Sequence, residues 1–102
     1  MCIATEIVTM KTLEHISNDE FIAIVDDLEK NFHSKQSGFI DTELLYNYKN
    51  DEWIMIQHWA SMDNLNTASK KMFQNKVTEL FVKALDPKGV KMTILPQLKV
   101  WK

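Results

Sequence analysis

Apolar and polar positions along this chain change their period several times, and each change marks an element. Residues 3 to 13, IATEIVTMKTL, are rich in β-branched side chains and roughly alternate, which predicts a strand. In ISNDEF, Ser17 and Glu20 have capping-box spacing, and Ile16 and Phe21 occupy the staple positions on either side. Phe21, Ile24, Val25, Leu28 and Phe32 then recur at helical spacing, with Asp26, Asp27, Glu29 and Lys30 on the other face, so a helix is predicted to about Lys35. Gly38 opens a second strand, GFIDTELLYNYK, and Asn50-Asp51 reads as a tight turn into a third, EWIMIQHWA. Ser61 is placed to cap one long helix whose stripe is Leu65, Ala68, Met72, Phe73, Val77, Leu80, Phe81 and Ala84, stopped by Asp86, Pro87 and Gly89. The closing VKMTILPQLKVWK alternates again, and Pro96 suits an edge strand or a bulge.

The resulting order is βαββαβ, which predicts an α+β, ferredoxin-like four-stranded antiparallel sheet with both helices on one face. With two glycines, two prolines and no low-complexity tract in 102 residues, no linker is visible, and the chain is expected to be one domain over residues 1–102. The opposite face of the sheet is left bare, and a chain this short gains by covering it with a partner.

Pairing the hairpin about Asn50 and Asp51 sets Tyr48 against Trp53, Tyr46 against Met55, Leu44 against Gln57 and Thr42 against Trp59, all on one face. The other face carries Leu45 with Ile56, Asn47 with Ile54, and Glu43 with His58. The aromatic face would form a flat cleft under the helices, with the tyrosine hydroxyls and the Gln57 amide orienting a planar ligand. Simple core filling is the commoner fate of such a stripe. Glu43 and His58 read either as an acid/base pair or as a satisfied polar pair at a subunit interface, and the lack of a nearby nucleophile favours the interface.

A net charge of -2 and a pI near 5.9, with lysines interrupted by acids and apolar residues, argue against nucleic acid. Cys2 is the single cysteine and the three histidines are scattered, so neither a disulfide nor a metal site is predicted; His15 and His33 read as solvated residues flanking the first helix. No run of about 18 apolar residues predicts a membrane span, and a cytoplasmic location is expected.

Element order, Gly38-Phe39 at the second strand, and Trp59 followed by ASMDNL together resemble the antibiotic biosynthesis monooxygenase-like families of the dimeric α/β barrel superfamily. That resemblance implies a homodimer with two sheets packed face to face, helices outside and a ligand cleft in each subunit. It also implies a bulky aromatic at the cleft, here Trp59, and, in some members, oxygenation of anthrones or quinols without flavin, metal or haem. On this reading Trp59 and Gln57 act on the substrate, Thr42, Tyr46, Tyr48 and Met55 bind it, and no cofactor is needed. Haem-degrading relatives place an axial histidine on the second helix, but MDNLNTASKKMFQNKVTELF contains none. Other relatives carry a histidine about nine residues beyond the strand-ending aromatic, where this chain has Ala68. On the first strand Thr5, Glu6 and Thr9 stay open as site residues. Three functions are therefore compared: a cofactor-independent monooxygenase, a dimeric stress-response or binding protein for a small apolar or aromatic molecule, and a haem binder using His58 or His33.

Overall fold

The computed structural model describes residues 2–102. Its strands are β1 (Ala4–Met10), β2 (Phe39–Asn47), β3 (Glu52–Trp59) and β4 (Lys91–Pro96); its helices are α1 (Asn18–Asn31), α2 (Met62–Met72) and α3 (Glu79–Ala84). The sheet is antiparallel in the order β2-β3-β1-β4, the ferredoxin-like arrangement expected from the element order.

α1 begins as its sequence requires. Glu20 N donates to Ser17 Oγ at 3.1 Å and Ser17 N donates to Glu20 Oε1 at 3.2 Å, so two of the otherwise orphaned amides are satisfied reciprocally. Phe21, Val25 and Leu28 form its buried stripe. It ends earlier than the periodicity predicts, at Asn31. Phe32 leaves helical geometry, and a 3-10 turn over His33–Lys35 follows.

The second helical segment is interrupted rather than continuous. α2 stops at Met72 and α3 starts at Glu79, with a 3-10 turn over Lys76–Thr78 between them. The cause is Asn75, whose Oδ1 accepts from Val77 N at 3.0 Å while its carbonyl accepts from Thr78 Oγ1 at 2.7 Å; short polar side chains offer the backbone such partners in competition with the helix. The break takes Phe73 and Leu80 out of the predicted buried stripe, leaving them 82% and 63% exposed, while Phe81 and Ala84 stay buried.

The hairpin corrects the predicted register. Its loop spans four residues, 48–51, rather than two: Asn47 Oδ1 accepts from Lys49 N at 3.0 Å, and Asp51 adopts φ 53°, the left-handed region that Asn and Asp tolerate. Asn47 therefore faces Glu52, Tyr46 faces Trp53, Leu44 faces Met55 and Thr42 faces Gln57. A shift of two residues preserves which face each side chain occupies, but it exchanges partners. Glu43 lies opposite Ile56, and His58 lies opposite Asp41. A bulge beyond Asp41 brings Phe39 level with Trp59.

The inner face of the sheet packs on the helices in two clusters. Phe21, with Trp53 at 4.9 Å and Phe81 at 5.9 Å between ring centroids, anchors one; Trp59 with Ala4, Leu65 and Ala68 forms the other. On the outer face, Ile7, Ile54 and Ile56 are half-buried and Leu45 and Leu95 are exposed. None of the helices among the described residues is long and apolar enough to cross a membrane.

Gly38 joins the site to α2. It adopts φ 80°, its carbonyl accepts from Ala60 N at 2.7 Å, and a Cβ there would overlap the Asn64 side chain. Gly38→Ala should lower stability by about 1–2 kcal/mol from the left-handed backbone alone, and by more once Asn64 is displaced. A fall in the urea midpoint with an unchanged m-value is the expected result.

Candidate functional site

Stopping α1 at Asn31 and breaking the second helical segment at Phe73 leave the inner sheet face incompletely covered. A cavity of about 260 Å³ opens between the two core clusters. β1 and β3 supply its floor, and α2, α3 and the segment leading into β4 supply its walls and mouth. Most of the lining is apolar, with Val8, Met10 and Met55 on the floor and Phe73, Val82, Val90 and Met92 among the residues opposite. The volume exceeds the roughly 150 Å³ that suffices for benzene in an engineered cavity.

Polar groups gather at one end. The 3-10 turn after α1 turns His33 inward, where it is 5% exposed rather than solvated as its sequence position suggests. Its Nδ1 is hydrogen-bonded to Glu29 Oε2, one helical turn earlier. Gln57 Nε2 lies 3.0 Å from His33 Nδ1 and 3.4 Å from Nε2, and it also donates to Thr42 Oγ1 at 3.0 Å. With the Nδ1 hydrogen given to Glu29, the second amide hydrogen of Gln57 is left for Nε2. The result is a continuous chain of Glu29, His33, Gln57 and Thr42 through the protein interior.

Glu6 reaches the same end from β1, directly across the sheet from Gln57. It is 8% exposed, yet no hydrogen bond or ion pair reaches its carboxylate among the described residues. Burial pushes its pKa above the ordinary value of 4.5, and its electrostatic interaction with His33 opposes part of that shift. Trp59, stacked edge-on to Phe39 at 5.4 Å and to His33 at 6.1 Å, has its indole Nε1 buried without a partner.

The residues singled out in the sequence are thus divided. Trp59, Gln57 and Met55 line the cavity, and Thr42 stands behind Gln57 as its hydrogen-bond partner. Tyr46 packs on Trp53 at 4.6 Å between centroids and spends its hydroxyl on Asp51 Oδ1 at 2.8 Å, a bond that pushes the phenol pKa up. Tyr48 stands in the hairpin turn, 84% exposed and outside the cavity. Glu43 and His58 do not pair: His58 Nδ1 is 2.7 Å from Asp41 Oδ1, on the outer face of the sheet. Thr5 and Thr9 share that outer face with Ile7 by alternation. Of the first-strand residues left open, Glu6 is the one that reaches the cavity; His33, read as solvated or as a haem ligand, is turned inward to it, and Glu29 is the addition. Strand alternation exposes Glu6 as a charge among Ala4, Val8 and Met10, and the four-residue spacing of Glu29 and His33 was the available signal for the second pair. No group of three His, Cys, Asp or Glu residues suited to a metal ion occurs among the described residues.

The fold, a ferredoxin-like βαββαβ unit, is shared with solved structures described as antibiotic biosynthesis monooxygenases. Among solved structures the chain is similar to SnoaB, a cofactor-independent oxygenase from Streptomyces nogalater, at TM-score 0.74 and 16% identity, covering 98% of this chain and 97% of that one. A candidate antibiotic biosynthesis monooxygenase from Bordetella bronchiseptica matches at TM-score 0.75 and 15% identity, over 99% and 100% of the two chains. Rv0793 from Mycobacterium tuberculosis matches at TM-score 0.73 and 13% identity, over 98% and 99%. By sequence, no family model and no curated protein matches the chain.

Glu6 has a measurable consequence for stability. The unfolded chain ionises it near 4.5 and the folded chain only at higher pH, so the folded state binds the extra proton and loses stability as pH rises through that window. Glu6→Gln should therefore melt at a higher temperature than the wild type at neutral pH. The difference should vanish at about pH 3.5, where both states carry the neutral acid.

Proposed function

We propose that the protein is a cofactor-independent monooxygenase that oxygenates a small aromatic or quinol-type substrate in the cavity between sheet and helices. The observation that carries this reading is the cavity itself, apolar over most of its wall, with its polar side chains confined to one end. Such a site binds a planar, partly apolar molecule and holds its one polar edge in a defined place. The fold shared with SnoaB, described as a cofactor-independent oxygenase, supports the same reading.

Trp59 and Gln57 are the residues assigned to the substrate. The buried indole N–H has no acceptor in the protein, a condition that costs roughly 1–3 kcal/mol and that a carbonyl or phenolate oxygen seated beside it would relieve. Gln57 is held by Thr42 and His33, so its carbonyl edge has a fixed direction. Met55 forms floor under the ring, and Tyr46 supports Trp53 from behind rather than touching substrate.

The chemistry asks the protein to bind, deprotonate and exclude water. Loss of a proton leaves a delocalised anion, which passes an electron to dioxygen. The two radicals combine as a peroxide, and elimination of water leaves a new carbonyl. One methylene and one dioxygen become one carbonyl and one water, so no external reductant enters. Association through Ile7, Ile54, Ile56, Leu45 and Leu95 into a homodimer belongs to this proposal, because an apolar sheet face of that extent needs cover.

A second reading, a binding protein for a small apolar molecule, shares the cavity and lacks the turnover. A haem reading finds a buried imidazole in His33, but that ring is already hydrogen-bonded to Glu29 and Gln57, and His58 is on the outer face beside Asp41.

Oxygen uptake by the chelator-treated protein with a panel of anthrones and quinols separates the first two. The expected result is uptake that falls roughly 10²-fold in Trp59→Ala, with Trp59→Phe retaining the fold as a control for packing. Saturable quenching of tryptophan fluorescence with no uptake for any member of the panel would favour the binding protein instead.

A further inference from the structure

The carboxylate of Glu6 has no structural employment. Buried structural carboxylates are held by arginine, lysine or several backbone amides, because an unpaired charge in an apolar space is costly. Glu6 is 8% exposed, lines the cavity, and receives none of these among the described residues. Alternation on β1 makes it the odd member of a face otherwise built from Ala4, Val8 and Met10, where an apolar side chain of similar volume would pack without penalty. The ionisable or polar side chains that share the cavity with it come from three other elements: His33 from the 3-10 turn after α1, with Glu29 of α1 behind it, Gln57 from β3, and Ser69 from α2. Glu29 gives Oε2 to His33 and keeps Oε1 buried without a partner, but it does not line the cavity, so among the described lining residues Glu6 is the carboxylate with no protein partner.

We propose that Glu6 is the general base of this cavity, and that it enolises a bound carbon acid in a step that does not require oxygen. This rests on reading the cavity as the substrate site. In the step, the bond between the substrate's acidic carbon and its hydrogen breaks, the proton passes to Glu6, and the electron pair moves through the ring system to the carbonyl oxygen. Nothing is oxidised or reduced. Return of the proton to the same carbon exchanges it with solvent. Trp59 is diagonal to Glu6 across the β1 and β3 pairing and lines the same cavity, with its indole Nε1 buried and without a partner. His33 is a positioning residue here, fixing the Gln57 amide opposite Glu6. A carboxylate whose ionised form is disfavoured by burial accepts protons more readily than a solvated one, which suits this task.

The test is proton exchange without oxygen. Under anaerobic conditions in D2O at about pH 6, loss of the methylene proton signal of dithranol, 1,8-dihydroxyanthrone, is followed by NMR with wild type, Glu6→Gln and Glu6→Asp. Fluorescence quenching reports binding, and oxygen uptake is measured separately in air. The expected result is wild-type exchange at least about tenfold above the protein-free rate, exchange at the protein-free rate in Glu6→Gln with quenching retained, and an intermediate rate in Glu6→Asp. Wild-type exchange at the protein-free rate overturns the proposal, as does a Glu6→Gln variant that exchanges as fast as wild type. Exchange that depends on Glu6 without oxygen uptake keeps this assignment and removes the monooxygenase. Oxygen uptake undiminished in Glu6→Gln keeps the monooxygenase and removes Glu6.

Discussion

The structure depends on a shortage of cover. The inner face of a four-stranded sheet asks for two full helices across it, and this chain supplies α1 and a second helical segment that Asn75 breaks in two. Packing is complete where Phe21 can wedge between Trp53 and Phe81, and again where Trp59 sits on Leu65 and Ala68. Between those clusters large side chains such as Met55 and Phe73 line the space without filling it. A void lined by apolar atoms forfeits dispersion contacts that a continuous core would have made, so the cavity is a cost carried by the rest of the fold.

A second cost lies at its polar end, and the two have a common origin. Ending α1 at Asn31 frees the backbone to enter the 3-10 turn, and only that turn brings His33 to the sheet. Once there, the ring needs partners, which Glu29 provides from the helix and Gln57 from β3. Thr42 completes the set from the neighbouring strand, so the network ties three elements together at the place where apolar packing is weakest. Glu6 is outside this network despite facing it. A hydrogen-bonded network that leaves Glu29 Oε1 as its buried atom without a partner, beside a carboxylate at Glu6 with no protein partner, is hard to explain by folding alone, because a substitution that would remove the cost is available to any chain.

How far all this was legible depends on the range of the interaction involved. The capping box at Ser17 and the strand and helix periods are local, and the structure follows them; the overall βαββαβ order emerges from them directly. Turn length is set by finer terms. The Asn47 side-chain bond and the left-handed backbone at Asp51 accompany a four-residue loop, and that loop length decides whether His58 meets Glu43 or Asp41. The helix break at Asn75 is similar, since a stripe running on to Phe81 and Ala84 suggests continuity that the Asn75 side chain cancels. His33 was least accessible to sequence reasoning. Its burial follows from where α1 stops, and element ends are where hydrogen-bond competition is closest.

Gln57, His58 and Trp59 close β3, and alternation separates their environments more sharply than any difference in their chemistry. Gln57 and Trp59 point inward to the cavity, and His58 points outward to Asp41 and the half-buried isoleucines. A one-residue slip of β3 would place the imidazole in the cavity and the indole on the outer face, exchanging a hydrogen-bonded interior for an exposed tryptophan. Phe39, level with Trp59 through the bulge on β2, opposes that slip, because its ring is already packed edge-on against the indole. The bulge therefore does two things at once: it ends the regular pairing of the hairpin, and it locks the strand whose last residues separate the chemistry of the inner face from the contacts of the outer one.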